Sequence, residues 1–368
     1  YAHNHGVYTN LGKPDFDHAF TIQDYLDDAG YKTAMTGKFF NDWPLRERPP
    51  HFDRWAMFDG GYYQRRFNVD GEMTNVPGYS TSFIARKSID FLQAFDDADD
   101  AAPWFLYVAP YAPHAPFTPE SDHQTTRVPR WDGNPAVFEK NRSDKPPYVL
   151  IRNETFQTWK RNRVLQLRSL KSVDALVGGV RRALRDLDEN RRTLVFFMSD
   201  NGYMWADHGL YDKGAPYTPS IRIPMLMRYP RAQELPPVDD RIVANVDVAP
   251  TVLDAAGIAV DPLHPMDGKS LLAPAWERNR ILTEYRNNDN IWTPPTWAST
   301  RTKTIQYVEY YADGEPVFRE LYRLRSDPWQ LRNVLADGRE GNDPSGARLA
   351  QLSSRLVADR ECEGATCP

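Results

Sequence analysis

A carboxylate, an amide, an imidazole and an ammonium group follow one apolar stretch of this sequence. Asp200 and Asn201 come just after Thr193–Met198, and His208 and Lys213 follow within the next dozen positions. Carboxylate and amide oxygens suit a hard divalent cation, and an ammonium group suits an anion held against that cation. The apolar stretch predicts a buried parallel strand, whose carboxyl end is where open α/β sheets bind ligands. A plain Asp-Asn-Gly turn is the alternative.

A second candidate is a histidine in a proline-rich loop. His114 has a proline directly before it and another two positions after it, and the loop follows the strand-like Trp104–Val108. Prolines restrict the backbone on both sides of the imidazole, which suits a positioned proton donor. The alternative is a histidine in a surface turn.

A third candidate is a lysine at the end of a short predicted strand. Thr33–Lys38 follows a predicted helix with Thr21 as its N-cap and Gly30 as its stop. Gly37 permits close approach of a ligand to the backbone, so Lys38 is a candidate anion ligand. An ordinary solvated lysine is the alternative.

Strands and helices alternate along most of the chain, which predicts an α/β sandwich. Besides Trp104–Val108, we expect strands at Thr193–Met198 and Pro224–Arg228 and a long helix from about Arg163 to Leu187, whose apolar residues recur at helical spacing. Further strands are predicted without helices between them, at Ile281–Tyr285, Trp297–Thr300 and Thr304–Val308. We therefore expect two units, residues 1–275 and a small C-terminal antiparallel subdomain, residues 276–368, which a helix over about Arg348 to Asp359 packs.

Composition and cysteine usage limit the class of protein. The formal net charge of -5 argues against a nucleic-acid surface, and no apolar run is long enough to span a bilayer. Cys362 and Cys367 lie close together at the end of the sequence and predict a terminal disulfide, hence an exported protein. Two free thiols are the alternative.

Two segments allow a structural or a binding interpretation. Aromatic and arginine residues are interleaved from Phe39 to Phe83, where they would line a sugar sulfate pocket or pack an insertion against the sheet. The proline-rich stretch from Pro113 to Pro147 would form a rim loop or a simple connection.

These pieces together resemble the sulfatase family of the alkaline phosphatase superfamily. The resemblance covers most of the chain and rests on eight segments in the family's order. They are Tyr1–Val7, Thr36–Lys38, Pro113–Pro116, Ser199–Gly202, Asp207–Lys213, Ser220–Pro224, Asn245–Thr251 and Leu324–Pro328. The implied fold is a central mixed sheet sandwiched by helices, with a small C-terminal antiparallel α+β subdomain.

The resemblance implies a role for each candidate residue. Asp200 and Asn201 would be oxygen ligands of one divalent cation, usually calcium in this family. Lys38 and Lys213 would bind sulfate oxygens and neutralise charge as the S–O bond breaks. His114 would hold the sulfate and protonate the departing alkoxide.

Two further residues are expected to support the site. His208 matches a recurrent family position close to the site. After Lys38, many arylsulfatases have a histidine two positions on, whereas Phe40 stands here and Asn41 follows. This pattern is similar to the N-acetylglucosamine-6-sulfatase branch and hints at a carbohydrate sulfate ester.

The family's nucleophile motif does not occur in this sequence. Sulfatases carry a Cys or Ser that is oxidised to formylglycine in a Cys/Ser-x-Pro/Ala-Ser-Arg motif, just upstream of the segment that begins here at Tyr1. We therefore expect a fragment or cleaved product, inactive as written, whose missing piece holds the first strand, an Asp pair and the formylglycine. A pseudoenzyme is the alternative.

Three functions follow from the sequence. The first is a secreted sulfatase, or its periplasmic or lysosomal equivalent, that acts on a sulfated small molecule or glycan. The formylglycine-generating enzyme would be a partner of the full-length protein. The second is a phosphodiesterase or phosphonate monoester hydrolase on the same fold, and the third is a non-catalytic protein that binds sulfated glycans.

Overall fold

The computed structural model describes residues 1–9, 16–99, 101–232, 235–273, 276–287 and 294–368. The strands in these residues are β1 Lys32–Lys38, β2 Arg54–Phe58, β3 Tyr63–Val69, β4 Glu72–Tyr79, β5 Trp104–Ala109, β6 Val195–Met198, β7 Met204–Trp205, β8 Tyr211–Asp212, β9 Met225–Arg228, β10 Ile281–Tyr285, β11 Thr296–Arg301, β12 Ile305–Ala312 and β13 Glu315–Arg323. The helices are α1 Ala2–His5, α2 Ile22–Asp28, α3 Ser80–Ala98, α4 Pro147–Leu150, α5 Phe156–Asp186, α6 Thr218–Ile221, α7 Val248–Ala256 and α8 Gly346–Arg360. No described helix is long and apolar enough to cross a membrane.

The main sheet is mixed and has the order β4-β3-β2-β1-β5. The central strand β1 runs parallel to both β2 and β5, whereas β2, β3 and β4 pair antiparallel. Because β1 has a partner on each side, its residues from Thr33 to Gly37 are buried. This arrangement confirms the predicted α/β fold with a mixed central sheet.

Alternate residues of the sheet pack against different layers, as a pleated strand requires. Ala34 faces a core in which α3 and α5 pack against the sheet. Met35 faces the opposite layer, which contains Trp43, Phe52 and Trp55. The sheet is therefore covered on both faces.

The aromatic segment from Phe39 to Phe83 has a structural role. It contains the strands β2 to β4, which the sequence did not predict, and most of its aromatic side chains are buried, among them Trp43, Trp55 and Phe67. These residues fill the layers around the sheet, so the packing interpretation is the one that the structure supports.

The long helix begins earlier than its apolar pattern indicated. It starts at Phe156 rather than near Arg163, because Thr155 caps its first turn by accepting a hydrogen bond from the Thr158 backbone N–H. Its apolar side contacts α3 over the main sheet.

A separate pair of strands lies apart from the main sheet. β6 was expected to be a buried parallel strand, but its described partner β9 runs antiparallel to it, and Phe197 in β6 is 39% exposed. Among the described residues, β5 pairs with β1 alone, and β6 pairs with β9 alone. The free sides of β5 and β6 both line one apolar cavity of about 2390 Å³.

The C-terminal region is an antiparallel sheet of order β10-β11-β12-β13, and α8 packs against it through Leu352 and Leu356. This matches the predicted subdomain and adds β13, which the sequence reading missed. Cys362 and Cys367 form the predicted disulfide. The predicted boundary between the two units follows residue 275. Residues 274–275 lie outside the described part of the chain, so this boundary stays a prediction.

Candidate functional site

The carboxyl ends of β1, β5 and β6 lie in the wall of one cavity. β1 and β5 are neighbours in register, with Gly37 opposite Ala109. The candidate residues that line this cavity are Lys38, Asn41, His114, Asp200, Asn201 and Lys213. The structure thus brings together side chains that are up to 175 positions apart in the sequence, from Lys38 to Lys213.

Two lysines and one aspartate influence one another electrostatically in this wall. Partial burial lowers the pKa of Lys38, and the nearby positive charge of Lys213 lowers it further. The carboxylate of Asp200 acts in the opposite direction and raises the pKa of Lys38. Among the described residues, neither lysine forms an ion pair with a carboxylate. Two ammonium groups therefore face the same space, and no carboxylate of the described residues pairs directly with either of them.

Lys213 is placed by a short hairpin and by the C-terminal sheet. It follows β8, which pairs with β7, and its Nζ donates a hydrogen bond to Asn201 Oδ1 at 3.0 Å. The next residue, Gly214, accepts a hydrogen bond from the indole N–H of Trp297 at 2.7 Å. The loop that carries Lys213 is thus held from both sides.

Asp200 and Asn201 occupy a tight turn after β6. The Asn201 backbone N–H donates to Asp200 Oδ1 at 2.9 Å, and the Ser199 hydroxyl donates to the Asn201 carbonyl at 2.9 Å. The Asp-Asn-Gly turn, which is the alternative interpretation of these residues, is therefore present. It also directs the exposed Asp200 carboxylate and the Asn201 amide to the cavity wall.

His114 lies on the loop after β5, and its ring is exposed. Its Nδ1 lies 2.9 Å from the Ala115 carbonyl, an acceptor that fixes a proton on Nδ1. The Tyr62 hydroxyl donates to the His114 carbonyl, and the Tyr111 hydroxyl donates to the Ala115 carbonyl at 2.7 Å. The loop backbone is therefore anchored, and Nε2 is left for a ligand.

Two glycines allow backbone segments to approach closely around the site. A Cβ on Gly37 would lie 2.1 Å from the Ala109 carbonyl oxygen, and a Cβ on Gly202 would lie 2.1 Å from the Pro219 carbonyl oxygen. From the sequence, Gly37 is expected to let a ligand approach the backbone closely. The structure instead shows that Gly37 lets β1 and β5 come together beside Lys38.

His208 lies outside the cavity wall. It is 1% exposed, its Nδ1 is 2.7 Å from Glu139 Oε2, and its ring packs 4.4 Å from that of Tyr217. The supporting role expected for His208 therefore stays a prediction.

The chemistry of the donor set fits part of a calcium site. Asp200 and Asn201 supply oxygen atoms, which calcium prefers, but calcium takes about six to eight of them. Lys213 already bonds to Asn201 Oδ1. Elsewhere among the described residues, three potential ligands cluster at His3, Cys362 and Cys367, but the two sulfurs are joined in the disulfide.

The sequence reading missed an aromatic wall on one side of the cavity. Its members contact one another, mostly between residues far apart in the sequence; they are Phe117, Trp131, Trp159, Tyr203, Trp205 and Tyr211. Arg163 lies against Trp131 and Trp205. The proline-rich stretch from Pro113 to Pro147 supplies Phe117 and Trp131. This part of the stretch therefore lies at the cavity, as a rim loop would.

Family comparisons agree with this arrangement. The sulfatase family matches residues 1–258, and the family described as N-sulphoglucosamine sulphohydrolase, C-terminal, matches residues 206–356. The chain therefore belongs to the sulfatase family.

Individual relatives match at low to moderate identity. The chain is 31% identical to an extracellular sulfatase SULF-1 homolog of Drosophila melanogaster over 309 residues, which are 77% of this chain and 27% of that protein. It is 27% identical to the N-acetylglucosamine-6-sulfatase of Bos taurus, over 92% of this chain and 68% of the relative. The chain thus spans about a quarter of the first relative and about two thirds of the second.

Solved structures share the fold. A protein in complex with its substrate D-glucosamine-2-N,6-O-disulfate superposes with a TM-score of 0.83 at 22% identity, covering 98% of this chain and 85% of that one. The phosphonate monoester hydrolase of Agrobacterium radiobacter superposes with a TM-score of 0.71 at 20% identity, covering 98% of this chain and 84% of that one.

Proposed function

We propose that the protein is a sulfuric ester hydrolase that acts on a sulfated carbohydrate. One observation carries the proposal: Lys38 and Lys213 face the same space beside Asp200, and neither lysine forms an ion pair with a carboxylate in the described part of the chain. Two cations placed in this way stabilise the negative charge that develops on a sulfate group as its ester bond breaks. Membership of the sulfatase family supports this assignment.

His114 is the proposed proton donor to the departing alcohol. Its Nδ1 is engaged by the Ala115 carbonyl, which leaves Nε2 to hold and deliver the second proton of an imidazolium. The tilted ring of Tyr111, 4.7 Å away, limits rotation of the imidazole. A positioned acid of this kind matters most when the leaving alcohol is a poor leaving group, as a sugar hydroxyl is.

Asp200 and Asn201 are the proposed protein ligands of one calcium ion. Both present oxygen donors at the cavity wall. A bound calcium ion would supply a positive charge for the sulfate oxygens. The two described donors make up only part of a calcium shell, so the ion would need further oxygen ligands.

A segment ahead of Tyr1 is proposed to supply those ligands and the nucleophile. The free sides of β5 and β6 line the same apolar cavity, and an added strand there would carry its carboxyl end to Asp200 and His114. Formylglycine, installed by the formylglycine-generating enzyme, would supply the attacking hydroxyl. Tyr107 and Phe197 on the bordering strands are 49% and 39% exposed, which such a strand would cover.

The proposed substrate class and location follow the relatives. Matched proteins of Bos taurus and Bacteroides thetaiotaomicron bear the names N-acetylglucosamine-6-sulfatase and N-acetylglucosamine-6-O-sulfatase. The aromatic wall offers flat faces for sugar rings. The disulfide between Cys362 and Cys367 and the matched extracellular sulfatase support an exported protein.

Hydrolysis of a phosphonate monoester is the second candidate function. The superposition with a phosphonate monoester hydrolase favours it, because tetrahedral phosphoryl and sulfuryl groups attract the same cations. The test compares a sulfate ester and a phosphonate monoester of the same sugar alcohol, with the complete protein including any segment encoded ahead of Tyr1. We expect the sulfate ester to be hydrolysed with the higher kcat/KM. A higher kcat/KM for the phosphonate would replace the proposal by its alternative.

Calcium binding tests the ligand assignment separately. Asp200→Ala should remove high-affinity calcium binding measured by titration calorimetry on the complete protein, since a carboxylate is lost from the shell. Asp174→Ala is the matched control, because Asp174 is exposed on α5 away from the cavity. Calcium binding by Asp200→Ala at the wild-type affinity would remove Asp200 from the ligand set.

A further inference from the structure

Arg163 is a cation that the proposed reaction does not use. It lies on α5, and its guanidinium carbon is 5.6 Å from the ring centre of Trp131 and 5.3 Å from that of Trp205. The two indoles touch each other at a centroid distance of 5.9 Å. Arg163 is therefore held in place by two aromatic faces rather than by an acid.

No described carboxylate pairs with Arg163. Its Nε is buried without a hydrogen-bond partner, and burial lowers its pKa. The nearby Asp132 is already engaged by Arg130 at 2.6 Å and by Lys160 at 3.6 Å. A partly buried guanidinium without a counter-charge is costly, and a bound oxyanion would offset that cost with charge-assisted hydrogen bonds.

Trp205 connects Arg163 to the reaction site. Its indole N–H donates to Gln166 Oε1 at 2.6 Å, which fixes the ring. In the β7–β8 hairpin Trp205 lies opposite Tyr211, two residues before Lys213. Two residues span at most about 7 Å and neighbouring strands lie about 5 Å apart, so the backbones of Trp205 and Lys213 are close enough for one short oligosaccharide to reach both. Arg163, Trp131 and Lys213 all line the same cavity.

We propose that Arg163, between Trp131 and Trp205, binds an oxyanion on the sugar unit next to the one whose sulfate ester is cleaved. The two indoles would stack on the sugar rings, and the guanidinium would bind a carboxylate or a second sulfate. This inference rests on the proposed function for the position of the scissile group. The preferred substrate is then an oligosaccharide with charged neighbouring units rather than an isolated monosaccharide or an aryl sulfate.

Binding of matched disaccharides tests the proposal. The complete protein carrying His114→Ala, which blocks turnover if the proposed function is right, is titrated with three disaccharides by calorimetry. Each carries a 6-O-sulfated N-acetylglucosamine, and the neighbouring unit is a neutral hexose, a uronic acid or a sulfated hexose. We expect at least one charged disaccharide to bind about tenfold more tightly than the neutral one; the two charged arms show whether carboxylate or sulfate is preferred.

Substitution of Arg163 identifies the residue responsible. Arg163→Met keeps the apolar stem and should abolish the preference for a charged neighbour while leaving affinity for the neutral disaccharide unchanged. Arg163→Lys keeps the charge without the planar fork and should retain part of the preference. If Arg163→Met proves unfolded by its melting curve, a partial or complete loss of the preference in Arg163→Lys supports the proposal, and full retention of the preference overturns it.

Three results would overturn the inference. They are equal affinities for all three disaccharides in the His114→Ala protein with Arg163 intact, an unchanged preference after Arg163→Met, or an equal loss of affinity for all three disaccharides after Arg163→Met. Failure of the proposed function is a separate outcome. It would appear as absence of sulfate release by the protein with His114 intact, whereas the calorimetric preference does not require turnover.

Discussion

The strand-end site and the C-terminal sheet both remove charged groups from water, and they treat those groups in opposite ways. In the C-terminal sheet Glu320 is fully buried and accepts hydrogen bonds from the hydroxyls of Tyr217, Tyr310 and Tyr322, at 3.0, 2.8 and 2.6 Å. At the strand-end site, by contrast, Lys38 faces Lys213, and no carboxylate that the structure describes pairs with either lysine. A buried carboxyl group with satisfied hydrogen bonds stabilises the fold, whereas two ammonium groups without an ion-pair partner among the described residues are available for an anionic ligand.

The largest expected effect concerns turnover at the strand-end site. His114→Ala in the complete protein should lower kcat for a sugar sulfate by about 10²–10⁴-fold without changing the melting temperature, because the ring is exposed. The loss should be smaller for an aryl sulfate, whose leaving group needs less protonation. Assays of sulfate release on both esters measure the difference, with His123→Ala as control. An equal loss of kcat on both esters would argue against His114 as the general acid.

Removing the acceptor in the C-terminal sheet should affect stability rather than chemistry. Glu320→Ala leaves three buried hydroxyls without their acceptor and should reduce the free energy of unfolding by about 3–5 kcal/mol. Urea unfolding measures it, with the exposed Glu315→Ala as control. A change below about 1 kcal/mol would contradict the stabilising role of this network.

A glycine beside Lys38 tests how closely the strands must approach. Gly37→Ala should cost about 2 kcal/mol or more, because the new Cβ would lie 2.1 Å from the Ala109 carbonyl oxygen. Gly71→Ala is the matched control, since Gly71 also has a positive φ, of +98°, but no atom within 4 Å of its Cβ. Urea unfolding should show the larger loss for Gly37→Ala. Equal losses would mean that backbone strain alone accounts for both.

The smallest expected effect is a pH dependence of stability. Burial and Lys213 lower the folded-state pKa of Lys38 below 10.5. Between that lowered pKa and 10.5 the unfolded chain binds more protons, so this residue makes the free energy of unfolding rise with pH. Lys38→Met should remove this contribution. The free energy of unfolding of the wild type, minus that of Lys38→Met, should therefore rise with pH in this range. Parallel curves of unfolding free energy against pH in the alkaline range would show that folding does not shift the pKa of Lys38.

Local sequence patterns predicted the elements that lie close to the site. Thr21 and Gly30 bracket the helix before β1 as expected, and Lys38 ends that strand. Prolines around His114 and the Asp-Asn-Gly turn likewise indicated loops at strand ends. These predictions succeeded because a cap, a turn and a strand end depend on a few adjacent residues.

Features that depend on distant residues were not predictable in the same way. The antiparallel partner of β6 follows it by some thirty positions, and nothing in the apolar run Thr193–Met198 specifies strand direction. The space beside Trp131 and Trp205 requires a loop, a hairpin and the start of α5 to meet. Arg163 was read only as the start of an amphipathic helix, because the absence of an acid beside it is visible only in three dimensions.

The most direct test of the account is the kcat/KM of the complete protein for a 6-O-sulfated N-acetylglucosamine after Lys213→Ala. Lys171→Ala, on an exposed lysine of α5, is the control for loss of a positive charge. We predict that Lys213→Ala lowers kcat/KM by about 10³-fold with an unchanged melting temperature, while Lys171→Ala stays near the wild type. Near-normal turnover by folded Lys213→Ala would contradict the claim that the paired lysines stabilise the cleaved sulfate.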